Sequence, residues 1–507
     1  MSKWRCFMAV CWLIGPFVIA SPEATPAQTL RIGLAEDPDT LDPTLSRTFV
    51  SGVVRTALCD RLFEIGPELE PEIVPQLATK WEWVDDRKGL VIKLRPGVKF
   101  HDGEPFDAVA VKYNIERDLT MPGSTNKRRL GSVTGVEIID DHTAKLVLSA
   151  PFSPLLSSLA GPAGVMVSPK AARAAGENFG LHPVCAGPFE FVERISQDRI
   201  VLERFTDYWD KDKIKIDRIV YLPIPDTTVR LANLQSGGLD LAGVAPTDLE
   251  TVRKDPRLKL AVFNGLGYSG ITINVANGER SKGPLGRDPR VRQALELSID
   301  REVLNQVVFN GEYQPGNQWV SPDNPYYVKE LPIPARDLAK AKALLDAAGA
   351  SNPVVTFIVP NNPVTMQVAQ VIQAMAKESG FDIRIQATEF ASALQLAAKG
   401  DFEALMVGWS GSVDPDGNIY NLVTCTSPFN DGHYCSPEVD RELDAARTVA
   451  EPSERLVHYR IAAQHLLQDL PIIYLYHPKW LYASTTRLSG FTPYPDGSIR
   501  PQGMRLD

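Results

Sequence analysis

Apolar positions recur at two periods along this chain, and the balance between them changes part-way. Leu30–Ala35 (LRIGLA) predicts a strand. Over Thr48–Leu62, apolar residues fall at 50, 53, 54, 57, 58 and 62, the spacing of one helix face. Leu90, Ile92 and Leu94 alternate as a strand does, Arg95-Pro96-Gly97 turns the chain, and Phe106–Leu119 predicts a helix. Phe189–Phe191 and Ile200–Leu202, joined through Ser196-Gln197-Asp198, predict a hairpin, with further strands at Arg218–Leu222, Leu258–Phe263 and Ile271–Asn274. Near residue 285 helices begin to alternate with strands. Asp288 is placed to cap a helix with Pro289 at its first position, and Gly311 to end it. Val291, Leu295, Ile299, Val303, Leu304, Val307 and Val308 are its expected apolar stripe. Helices at Leu338–Ala348, Met366–Ser379, Ala391–Lys399, Ser436–Arg447 and Glu454–Asp469 are then expected. Strands at Val354–Val359, Phe381–Ala387, Phe402–Trp409 and Pro471–Tyr476 go with them. Such alternation favours a layered α/β architecture.

The first segment does not belong to this fold. Lys3 and Arg5 precede an uncharged, mostly apolar run from Cys6 to Ala20, too short for a comfortable membrane span and interrupted by Pro16. Small residues before Ser21 and before Gln28 offer cleavage after Ala20 or Ala27, the pattern of a secretory signal peptide over residues 1–27. No later stretch reaches 18 apolar residues, so a soluble, periplasmic mature protein is expected. Outside the leader are four cysteines, which allow three pairings. Cys425 and Cys435 lie ten apart in a turn-rich stretch and read as a local disulfide, which leaves Cys59 and Cys185 as the other pair. Zinc is the competing reading, but no CxxC occurs and only His433 is close by.

The 507 residues, 44% apolar, suffice for about three domain-sized pieces, and 36 glycines and 40 prolines stay well under the ~25–30% typical of low-complexity disorder. The net charge of −9 comes without a basic block, which argues against nucleic acid as a partner. No Walker loop, HExxH or GxGxxG after a strand is present, and Gly408-Trp409-Ser410-Gly411-Ser412 lacks the final glycine of a nucleophile elbow. Seven histidines are scattered, with His458 and His465 too far apart to share a metal without a third ligand. A non-enzymatic protein without metal or cofactor is therefore expected.

Several blocks then point one way. They include Asp37–Pro43 (DPDTLDP), Ala57–Glu64 (ALCDRLFE), Pro75–Trp81 (PQLATKW), Leu94–Phe106 (LRPGVKFHDGEPF) and Val111–Arg117 (VKYNIER). Ala186–Phe189 (AGPF), Phe205–Trp209 (FTDYW), Asp288–Arg301 (DPRVRQALELSIDR), Asp414–Asn418 (DPDGN) and Asp469–His477 (DLPIIYLYH) follow in order. The series resembles the large extracytoplasmic solute-binding proteins of ABC importers, the peptide/nickel/opine-binding group related to dipeptide- and oligopeptide-binding proteins. The resemblance implies a two-lobed periplasmic binding protein fold. Lobe I would hold 28–275 and 480–507 with an inserted subdomain near 72–185, and lobe II 276–479. Ile271–Asn277 and Tyr476–Ala483 would cross the hinge. It also implies a monomer that closes on a small-molecule solute, peptide-like or opine-like, and delivers it to an ABC permease. A secreted hydrolase reusing this scaffold is the rival.

For the site, the resemblance implies Glu36 and Asp37 in the loop after the first strand, and Trp409 at the end of a buried strand. Ser412 and Asp414 just beyond it, Tyr268 near the hinge and Asn361 after Val354–Val359 complete the set; for Asp37, Asn361 and Asp414 a turn-forming role is the competing reading. Two departures matter. Dipeptide binders of this group place an Asp where this chain has Ser412, and an Arg where it has Val359 before Pro360-Asn361-Asn362. A buried zwitterion without charged partners is costly, so a ligand other than a free dipeptide is expected.

Overall fold

The computed structural model describes Met1 and residues 28–68 and 72–507. The expected signal peptide falls on the remaining N-terminal residues, outside the described ones. Two sheets organise the chain. The first has seven strands in the order Leu258–Asn264, Lys479–Thr485, Leu241–Gly243, Thr29–Leu34, Arg218–Pro223, Arg199–Arg204 and Phe189–Ile195. Its middle strand, Thr29–Leu34, runs parallel to both neighbours, with Leu30 opposite Ile219 and Ile32 opposite Leu241. A strand buried on this scale needs cover on its faces. The helix Phe49–Leu58 supplies part of it through Val50, Val53, Val54, Ala57 and Leu58, all in the same core as Leu30 and Ile32. Thr48 caps that helix by accepting from Ser51 N.

The second sheet runs Gln314–Pro315, Ile472–His477, Tyr268–Ile273, Ala404–Trp409, Val354–Pro360 and Asp382–Thr388. Val354–Pro360 is parallel to both of its neighbours, and helices Pro363–Lys377 and Phe390–Ala398 connect them, as the alternating sequence pattern anticipates. The expected long helix after Asp288 is instead two, Pro289–Ser298 and Arg301–Phe309. Asp300 starts the second by accepting from Val303 N, and Val303 and Val307 are then left exposed. A competing cap inside an apolar stripe ends one helix and begins another.

The chain passes between the sheets twice. It leaves the first at Asn264 and enters the second at Tyr268, then returns between His477 and Lys479 through Pro478. Gly265 N donates to Pro478 O at 3.2 Å, so the two crossings touch. The first crossing therefore lies at 265–267 rather than at Ile271–Asn277. Ile271 and Ile273 are committed to the second core, where they pack with Phe357 and Met406. At Gly267 a Cβ would sit 1.7 Å from Trp409 O, so only glycine lets this crossing approach the end of the neighbouring strand.

A separate antiparallel sheet, Ala78–Val84, Gly89–Leu94, Thr143–Leu148 and Val133–Asp140, carries its own core around Phe100, Phe106 and Leu146. Both expected disulfides are present, Cys59–Cys185 and Cys425–Cys435, with Cα separations of 4.9 and 4.4 Å.

Candidate ligand site between the sheets

A cavity of about 200 Å³ lies between the elements of the two sheets. Glu36, Arg47, Phe49, Arg55, Arg61, Arg129 and Ser157 form one wall; Phe390 and Gly408–Val413 form the other. The walls are latched at several points. Arg47 pairs with Asp431 at 3.3 Å, Ser153 N donates to Arg447 O at 2.8 Å, and Asp414 N donates to Ser157 Oγ at 3.2 Å. The molecule is thus in a closed arrangement.

Three arginines dominate this cavity electrostatically. Arg61 is held in place, donating from Nη1 to Ala160 O at 3.0 Å and from Nη2 to Thr56 Oγ1 at 2.9 Å. Arg55 and Arg129 are different. Neither guanidinium has a hydrogen bond or ion pair to another described residue, and the Nε of each is buried without a partner. Burial lowers both pKa values to about 10; Arg61 adds to the effect on Arg55, while the charges of Asp39 near Arg55 and of Asp416 and Asp118 near Arg129 oppose it. Arg129 reaches across the cavity to lie 5.6 Å from the Trp409 ring centroid, a cation–π contact, while Trp409 Nε1 is itself buried and unpartnered. Opposite in character, Glu36 is pushed up to about 8, first by burial and then by the charges of Glu389 and Asp39. Near pH 7 Glu36 is mostly protonated, so the cavity carries excess positive charge.

Of the residues expected from sequence, Glu36, Trp409 and Ser412 line this cavity. Ser412 Oγ lies 3.4 Å from Ser157 Oγ across it. Tyr268 sits just outside, buried edge-on against Tyr474 at 4.7 Å, and lines an adjoining smaller cavity that shares Trp409. The other three lie off this lining. Asp37 accepts from Arg194 Nη2 at 3.0 Å, Ser196 Oγ at 3.1 Å and Gln197 N at 3.2 Å, so its carboxylate clamps the 189–204 hairpin turn. Asp414 receives both guanidinium ends of Arg455, at 2.8 and 2.7 Å, and offers the cavity wall only its backbone. Asn361 is exposed, its N–H bonded to Thr388 O at 3.0 Å, beside Asn362, which caps the following helix. Replacing Asp37 with alanine should therefore cost about 1–3 kcal/mol of stability in urea unfolding and leave solute affinity within about twofold.

A larger recess of about 700 Å³ runs along both crossings, and Leu266 and Val413 border both spaces. Glu302, Glu312 and Asp323 line it. None of the sequence-expected residues does, and Glu312 already faces Arg253 and Lys479 at 3.7 and 3.9 Å. The smaller cavity, with its unmatched charges, is the stronger ligand candidate.

The sequence profile of bacterial extracellular solute-binding proteins, family 5 (middle region), matches residues 72–430. The chain belongs to that family. Family membership extends over the whole length: the glutathione-binding protein GsiB of Pectobacterium atrosepticum is 31% identical over 503 residues, covering 96% of each chain. The Shigella flexneri protein of the same name is 30% identical over 484 residues, covering 93% of each. Among solved structures, the periplasmic binding protein AgaA from A. tumefaciens R10, bound to agropinic acid, superposes with a TM-score of 0.85 at 26% identity. It covers 94% of this chain and 99% of its own. The dipeptide-binding protein of Pseudoalteromonas sp. SM9913 reaches a TM-score of 0.87 at 22% identity, covering 95% and 100%, a likeness of fold. The protein is accordingly a two-lobed solute-binding protein. Among the described residues no helix is long and apolar enough to cross a membrane.

Proposed function

We propose that this family member captures a peptide-like or opine-like conjugate bearing carboxylates, of the glutathione class, and hands it to an ABC permease as a periplasmic, non-enzymatic monomer. The observation that carries this reading is the pair of guanidinium groups, Arg55 and Arg129, that line the cavity without an ion pair or hydrogen bond to another described residue. A buried, unpaired cation is expensive unless something binds it. Arginine presents a fork matched to carboxylate. Glutathione carries two carboxylates and one ammonium, and the GsiB relatives are named for binding it. In this reading the lobes are 28–264 with 479–507, and 268–477. They open about the two touching crossings, and the solute favours closure because it contacts both walls.

The departures from the dipeptide binders fit the same reading. Val359 is fully buried in its strand and cannot serve as a carboxylate anchor, and Ser412 brings no charge. The anionic contacts move to lobe I. Isothermal titration against glutathione, a dicarboxylate opine and neutral-side-chain dipeptides tests this. Dicarboxylates should bind at micromolar Kd or tighter, and dipeptides at least ~30-fold more weakly, the difference of one buried charge pair. Equal affinity for ordinary dipeptides would overturn the proposal. Release of a new product during the titration would favour the hydrolase rival.

The raised Glu36 adds a pH signature. A carboxyl whose folded pKa exceeds its unfolded value holds its proton longer in the folded state. Its stabilising contribution is complete below about pH 4.5 and declines as pH rises through about 8. A solute ammonium beside Glu36 favours the ionised form. Binding near pH 7 should then release up to one proton, read as a calorimetric enthalpy that differs between Tris and phosphate. Glu36→Gln should remove that difference.

A further inference from the structure

Against the arginine-lined cavity lies a second cavity of about 80 Å³. Arg47, Phe390, Gly408 and Trp409 border both. Gly408 is an exposed strand residue without a side chain, shared by the two linings. In this second cavity the lining changes in kind. Leu394, Leu405, Val407, Leu422, Phe429 and Ile472 offer hydrocarbon, with Tyr268 and Thr272 the hydroxyl-bearing residues among them. The two charged residues of its lining are paired with each other: Arg47 meets Asp431 at 3.3 Å and stacks over the Phe429 ring at 5.0 Å.

Glutathione itself has only its short CH2–SH arm to place against such a wall. We propose that this annex receives a short apolar arm of the solute, so that the preferred ligand is an S-alkyl thioether conjugate of the glutathione class rather than the unmodified tripeptide. The inference rests on the reading of the arginine cavity given above. Its size sets the arm. At about half of the ~150 Å³ cavity that accepts a benzene ring, the annex suits about three carbons and not a phenyl group.

The test is a calorimetric series: glutathione and its S-methyl, S-propyl and S-benzyl derivatives. Each methylene buried in hydrocarbon should tighten binding about fourfold, so S-propyl should exceed S-methyl by about 15-fold. S-benzyl should fall back toward the parent. Leu394 lines the annex and not the arginine cavity, half-buried on the helix Phe390–Ala398. Leu394→Phe should erase the S-propyl gain, and Leu394→Ala should move the optimum to S-benzyl. If glutathione binds but S-propyl gains less than twofold over S-methyl, or Leu394→Ala leaves the optimum at S-propyl, the annex is overturned and the arginine cavity stands. If no member of the series binds, both fall.

Discussion

Arg55→Met should weaken carboxylate-solute binding by between ~30-fold and several thousandfold while making the unliganded protein more stable. The two effects share one cause. Truncating one member of a buried, hydrogen-bonded charge pair removes about 2–5 kcal/mol of affinity. Without solute the pair has only one member, and its burial is a net cost. The direction of the pKa agrees, since burial pushes the Arg55 guanidinium down to about 10. A base with a depressed folded pKa loses stability below it, so at neutral pH the penalty is fully in force. Apolar replacement of buried ionic groups has stabilised other proteins by about 1–4 kcal/mol, and each kcal/mol corresponds to about 2–4 °C in Tm for a domain of 150–250 residues. Arg55→Lys should retain most of the penalty and lose the two-pronged grip. Calorimetric titration and thermal unfolding of the three proteins check this. Lower Tm together with unchanged affinity in Arg55→Met would refute it.

The second large effect concerns the disulfides. Removing Cys59–Cys185 as a double alanine variant should cost roughly 5 kcal/mol, against roughly 2.7 for Cys425–Cys435, because the chain-entropy term grows with the closed loop. The separations are 126 and 10 residues. Urea midpoints with and without reductant measure both. The longer bridge also bears on the site. Cys59 ends the helix that carries Arg55, its N–H bonded to Arg55 O at 2.7 Å. Its loss should broaden the orientation of that guanidinium and weaken binding beyond the stability change. Equal costs for the two bridges would show that the folded-state environment outweighs loop entropy here.

Much of the fold is legible where periodicity and caps agree. Asp288 and Pro289 begin a helix where expected, and the strands around Thr29–Leu34 and Val354–Pro360 fall within a residue or so of their patterns. Val133–Asp140 escapes because its pattern fails: Ile138 and Ile139 are both exposed, so no alternation survives to be read. Tyr268–Ile273 is visible as a strand, yet nothing local says which sheet it joins, since partner choice is a non-local property. The site divides in the same way. Glu36, Trp409 and Ser412 sit at strand ends, where a site is sought. Asp37 and Asp414 look equally reactive in sequence, but their partners Arg194 and Arg455 lie 157 and 41 residues away. Arg55 is the only charged residue in the helix FVSGVVRTAL. A lone cation in an apolar helix was the available signal. Arg129, within a run of three basic residues, offered none.

The position of Lys479–Thr485 in the first sheet carries a consequence for biogenesis. It is inserted between Leu258–Asn264 and Leu241–Gly243, far from both in sequence. A chain emerging N-terminus first cannot finish its earliest-made sheet until almost its last residues have appeared. Threaded through a translocation channel, such a polypeptide stays incomplete, and therefore still extensible, until transit is nearly over.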